Sequence, residues 1–147
     1  MTLKLLKLMS NLEWFGVDNW KKPASGSANA KMSKDLNQKS QKDFDHAYRV
    51  VKTISENYKP RCHIFMADSA ALAENFKDGE FDCVFIDADH SYDGCKRDIL
   101  AWRNKVRAGG ILSGHDYANN EGEVKRAVDE LVGEVELFDD HVWVKRI

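Results

Sequence analysis

Two short stretches of the chain concentrate groups that can bind charge or move a proton. In FDCVFIDADHSYDG, Phe81–Gly94, an apolar run meets Asp87, Asp89, His90 and Asp93. In GHDY, Gly114–Tyr117, His115 stands beside Asp116. Two carboxylates and an imidazole, from Asp87, His115 and Asp116, suit a divalent cation with positions left open for a substrate. The same residue types also suit a solvated polar rim that holds no metal. His90 follows Asp87 by three residues. It can serve as a general base near its natural pKa, or belong to the cap of a helix beginning near Tyr92. Asp18 can accept both hydroxyls of a ribose, because a carboxylate offers two oxygens to two donors, or it can satisfy turn NH groups. Asp68-Ser69 can hydrogen-bond a base edge or cap the helix that follows. His46, His63 and His141 fall in a predicted helix and two predicted strands and read as structural.

The elements that must position these groups alternate. LEWFGVDNW, Leu12–Trp20, reads as a buried strand and turn. Phe44, Ala47, Tyr48, Val51 and Ile54 keep helical spacing up to Pro60. Cys62–Ser69 is a second strand ending in an acid, and Ala70–Phe76 a short helix. FDCVFID reads as a strand buried on both faces. A helical rhythm follows from Tyr92 to Val106, then a turn at Ala108-Gly109-Gly110 and a strand over Gly110–Ser113. Glu121–Val132 is an amphipathic helix capped by Gly133. VELF and HVWVKRI flank Asp139-Asp140 as a hairpin. Alternating strands and helices imply an α/β domain with a mostly parallel sheet and an antiparallel C-terminal hairpin. Parallel strands bring their C-terminal ends to one rim, where ligands of open α/β sheets bind. That gathering explains why an apolar strand runs into a patch of acids.

A chain of 147 residues, 43% hydrophobic and 31% charged, has the size and composition of one globular domain. A net charge of −2 gives no footprint for nucleic acid or an anionic membrane surface. No apolar run reaches membrane-spanning length. Cys62, Cys83 and Cys95 have no CxxC spacing. They read as reduced, buried thiols of a cytoplasmic protein. Between Lys21 and Lys42 the composition turns to Pro, Ser, Gly, Asn, Gln and Lys, which reads as a flexible loop or lid.

The stretch FDCVFIDADHSYDGCKRDILAWRNKVRAGGILSGHDY resembles the core of class I S-adenosylmethionine-dependent methyltransferases. It is most similar to the group that includes macrocin-type sugar O-methyltransferases and cephalosporin-hydroxylase-like proteins. The signature is strand-FIDADHSY, a helix carrying -RDI-AW-, the -GG- turn and -GHDY; looser similarity runs from Leu12 to Ile147. The resemblance implies a Rossmann-like sheet with EWFGVDNW as its ribose strand and IFMADS as its adenine strand. It makes Asp18 the ribose ligand, sets Asp68 and Ser69 beside the adenine, and puts Asp87 under the methionine moiety. Asp87, His115 and Asp116 are the implied positions for Mg or another divalent metal, and His90 matches a histidine of the group's motif. The implied function is methyl transfer from S-adenosylmethionine to a hydroxyl of a small molecule such as a sugar. Two alternatives stand beside it: a non-catalytic binding or assembly module, and an enzyme that cleaves S-adenosylmethionine.

One part of the family's pattern is missing. Its nucleoside site is built around an acid and G-x-G after the first strand, and no such turn precedes LEWFGVDNW. Leu3–Leu8 cannot supply that strand, since a parallel crossover needs a dozen or more residues. The expectation is a sheet lacking its first strand, in a truncated or naturally short chain. Such a sheet would close Leu12–Val17 on Cys83–Ile86 or associate into a homo-oligomer.

Overall fold

The computed structural model describes residues 2–27, 30, 38–118, 122–139 and 141–147. They fall into two compact units, one of Met1–Lys22 with Gln38–Asp68, the other of Pro23–Asn37 with Ser69–Ile147. The loop or lid expected over 21–42 lies partly outside the described residues, at 28, 29 and 31–37.

The first unit comprises α1 (Thr2–Leu8), β1 (Trp14–Asp18), α2 (Gln41–Glu56) and β2 (Cys62–Met66). Helix α2 starts earlier than its apolar spacing indicates because Ser40 caps it. The Ser40 N–H and hydroxyl donate to the Asp43 carboxylate at 2.7 and 2.8 Å. Strands β1 and β2 are parallel, in register from Trp14 opposite Cys62 to Asp18 opposite Met66. The Arg61 guanidinium donates to the carbonyls of Leu12 at 2.9 Å and Met9 at 3.1 Å, tying the link between α1 and β1 to β2.

The second unit comprises α3 (Ser69–Ala73), β3 (Phe81–Ile86), α4 (Tyr92–Trp102), β4 (Val106–Gly114), α5 (Glu123–Leu131), β5 (Glu136–Phe138) and β6 (Val142–Arg146). Its sheet runs β3-β4-β6-β5, with β3 parallel to β4 and β6 antiparallel to both of its neighbours. Thus the parallel strands and the closing antiparallel hairpin are both present. Gly133, at φ +78°, ends α5 and donates to the carbonyl of Val128. The core of this unit joins Ile86, Leu112 and Trp143 of the sheet to Cys95, Ile99, Val124, Ala127 and Val128 of the helices.

Five local expectations are revised. Strand β3 buries one face only: Val84 and Ile86 pack into the core, whereas Cys83 and Phe85 on the other face are exposed. Apolar residues on both faces read as two-sided burial, but α4 and α5 pack on one. Consequently Cys83 is exposed, and only Cys62 and Cys95 are buried thiols. Burial, helped by Asp98 and Asp89 nearby, pushes the Cys95 thiol up to about 12.

The Ala108-Gly109-Gly110 segment is not a turn between elements but a bulge inside β4. The ladder passes from Phe81 opposite Val106 to Cys83 opposite Ile111. Gly109 takes φ +75°, its N–H donates to the Ile147 carbonyl, and Ile147 N–H donates to Gly110. A Cβ on Gly110 would meet the Asp82 carbonyl oxygen at 2.8 Å, so the crowded bulge needs glycine. Val106, expected at the end of a helix, therefore begins β4, and α4 stops at Trp102. His141 lies in the turn before β6 and not within a strand; Asp140 of that turn is outside the described residues.

Among the described residues β1 is laddered only to β2, and β3 only to β4. The ladders of the described residues include no pairing of Leu12–Val17 with Cys83–Ile86. No helix of the described residues is long and apolar enough to cross a membrane.

Candidate active site

The ends of β3 and β4 are held level by a backbone hydrogen bond from His115 N–H to the Ile86 carbonyl, 3.1 Å. Asp87 lies one residue beyond β3 and Asp116 two residues beyond β4. Asp116 adopts φ +59°, a left-handed conformation that Asp tolerates better than most residues. Tyr117 holds this turn from behind. Its N–H donates to the His141 carbonyl at 3.1 Å, and its hydroxyl donates to Asp129 Oδ1 at 2.6 Å. Lys125 also binds Asp129, from one turn earlier on α5.

His90 reaches into the space between the two acids. Its Nε2 is 2.9 Å from Asp116 Oδ2 and 3.3 Å from Asp87 Oδ1. His115 approaches the same Asp116 oxygen through Nδ1, at 3.2 Å. The Asp116 side chain is 10% exposed and that of Asp87 50%, so the group is closed on one side and open on the other. The hydrogen bond that His90 donates to the Asp87 carboxylate holds its pKa above the ordinary histidine range. Burial opposes this, while the charges of Asp116, Asp87 and Asp89 add to it.

Asp87, His90 and Asp116 each offer one ligand atom, and these atoms all lie within 4.8 Å of one another. Two carboxylate oxygens and an imidazole nitrogen form a donor set that suits a divalent cation. Sequence spacing assigned His115 to this set and a proton-transfer role to His90. The structure brings His90 into the trio and leaves His115 bound to Asp116 alone among its acids. The Asp87–His90 spacing of three residues, read as a general base or a cap region, was the available signal.

The other expected ligands divide between the units. Asp18 and Asp68 belong to the first, Ser69 and Asp87 to the second. Asp18 is exposed at the end of β1, and its Oδ1 accepts from Trp20 N–H at 2.6 Å. Asp68 is exposed after β2. Ser69 opens α3, and its Oγ accepts from Trp102 Nε1 at 2.9 Å, so the hydroxyl also anchors α4.

The comparisons with known proteins agree with the fold. A family described as a methyltransferase domain matches residues 1–117. No curated protein matches the sequence significantly. Among solved structures, a protein of Corynebacterium glutamicum matches with TM-score 0.57 at 16% identity, over 97% of this chain and 64% of its own. The O-methyltransferase NovP matches with TM-score 0.57 at 16% identity, over 98% of this chain and 63% of its own. CalS11, a TDP-rhamnose 3′-O-methyltransferase, matches with TM-score 0.50 at 15% identity, over 91% and 58%. At such identities the likeness is one of fold, the Rossmann-like methyltransferase fold, and this chain spans less than two thirds of each of those three chains. Strands ending in acids, the antiparallel C-terminal pair and a family match over most of the sequence lead to one assignment: the chain belongs to the methyltransferase domain family.

Proposed function

We propose that the chain binds S-adenosylmethionine and transfers its methyl group to a hydroxyl of a small molecule, a sugar being the favoured acceptor. The observation that carries this reading is His90 set between Asp87 and Asp116 at the ends of two parallel strands. S-adenosylmethionine supplies a methyl already activated on a sulfonium. The protein's work is then to place the acceptor oxygen in line and to receive its proton. His90 would receive that proton, and the carboxylates of Asp116 and Asp87, which face its Nε2 at 2.9 and 3.3 Å, would stabilise the imidazolium that results.

Alternatively Asp87, Asp116 and His90 would together hold a divalent cation such as Mg. The chemistry such an ion supplies is a lowered pKa for a coordinated hydroxyl. Asp18 would accept the ribose hydroxyls, and Asp68 and Ser69 would border the adenine. The segment 21–42 would act as a lid that excludes water. We place the reaction in the cytoplasm, where thiols such as Cys62, Cys83 and Cys95 stay free. Association into a homo-oligomer belongs to the same reading. Among the described residues β1 and β3 each ladder to a single neighbour, and open edges of apolar strands favour pairing.

Product analysis tests the reaction. Incubation with S-adenosylmethionine and a panel of nucleotide-linked sugars should yield S-adenosylhomocysteine and a methyl ether, suppressed by a chelator. Methylthioadenosine in place of S-adenosylhomocysteine would establish cleavage and refute transfer.

A further inference from the structure

Gly94 is the third residue of α4, where helix propensity by itself favours alanine over glycine. It is buried, and a Cβ built on it would lie 2.4 Å from Asp89 Cγ, 2.5 Å from Asp89 Cβ and 2.6 Å from Asp89 Oδ2. Turning Asp89 about χ1 moves its carboxylate but leaves its Cβ where the backbone puts it. A side chain at 94 therefore conflicts with the path of the preceding loop, whichever rotamer Asp89 adopts. That loop is fastened to the helix at short range. Gly94 N–H donates to Ser91 Oγ at 3.1 Å, and Ser91 N–H donates to Asp89 Oδ1 at 3.0 Å. Between Asp89 and Ser91 stands His90, whose Nε2 meets Asp116 at 2.9 Å and Asp87 at 3.3 Å.

We propose that Gly94 is a positioning residue. Its missing side chain lets the loop Asp87–Ser91 seat against the first turn of α4, and that seating sets His90 between the two carboxylates. Gly94 acts through Asp89 and touches no substrate. The inference rests on the reading of Asp87, His90 and Asp116 as the working site.

The test compares the parent with Gly94→Ala, Asp89→Gly and the pairs Gly94→Ala/Asp89→Gly and Gly94→Ala/Asp89→Ala. It reads the His90 ring C–H resonance, assigned with His90→Gln, and the affinity for Mn²⁺ alone by calorimetry. Gly94→Ala should move the His90 resonance and weaken Mn²⁺ binding by roughly 10- to 100-fold, the range for lost supports of metal ligands. The pair with Asp89→Gly removes the obstructing Cβ and should return both readouts to those of Asp89→Gly alone. The pair with Asp89→Ala keeps that Cβ and should not. A general loss of stability would not separate these two pairs. Parental values in Gly94→Ala, or equal behaviour of the two pairs, would overturn the proposal. Should Gly94→Ala fail to fold, recovery only in the Asp89→Gly pair supports it and recovery in neither overturns it. Absence of Mn²⁺ binding in the parent would sink the metal reading, and the His90 resonance would then decide the role of Gly94 by itself.

Discussion

Asp116→Asn should abolish divalent-metal binding and methyl transfer together while leaving the fold in place. Asn is nearly isosteric, and it can keep the left-handed backbone that Asp116 adopts at φ +59°. What it removes is the charge that faces His90 at 2.9 Å and His115 at 3.2 Å. Because the Asp116 side chain is only 10% exposed, water cannot replace that charge. Loss of a supporting partner behind a ligand commonly costs roughly 10- to 100-fold in metal affinity, so loss of the ligand's own charge should cost more. Calorimetry with Mn²⁺ and the production of S-adenosylhomocysteine read the two effects. Asp87, half exposed, should give the same result with smaller size when replaced by Asn. Full activity in Asp116→Asn, indifferent to chelator, would reduce the trio to a polar rim.

The acids of this site were legible in the sequence because each sits at a point where periodicity breaks. FDCVFID reads as a strand, and the strands of a parallel sheet bring their C-terminal ends to the binding rim. Asp87 and Asp116 follow from that argument with no distance measured. His90 and His115 were harder to separate. Both are a residue or more beyond a strand end, and which one turns inward depends on the loop's path against α4, a contact between Asp89 and Gly94 that leaves no periodic trace. The bulge at Ala108-Gly109-Gly110 was misread for a related reason. Paired glycines mark backbone that must bend, but only the hydrogen bonds with Ile147, the last residue of the chain, distinguish a bulge from a turn. The exposed face of β3 was invisible as well, since apolar residues on both faces do not reveal which face α4 and α5 will cover.

Trp143→Ala should cost about 3–5 kcal/mol, the usual range for truncating a buried aromatic. Trp143 is fully buried on β6 and lies against Gly114 of β4, where a Cβ would meet the indole ring at 2.7 Å. Measured against a total stability of about 5–15 kcal/mol, such a loss takes a large share and would bring a marginal domain close to unfolding. Trp143→Phe should lose less. The indole Nε1 has no hydrogen-bond partner among the described residues. Its removal relieves a buried, unsatisfied donor worth about 1–3 kcal/mol, which offsets part of the lost volume. Urea denaturation of the three proteins gives the comparison. Equal losses for Ala and Phe would contradict this description of the core.

The binding of S-adenosylmethionine tests the central claim most directly. Titrated by calorimetry, the chain should show saturable binding to a single site, weakened at least roughly tenfold in Asp18→Ala, since hydrogen bonds to a charged group contribute about 1.5–3 kcal/mol each. Far-UV circular dichroism should be unchanged in the variant, because Asp18 is exposed at the end of β1. Absence of any saturable heat from the parent would contradict the proposed function, and equal affinity in parent and variant would contradict the assignment of Asp18 to the ribose.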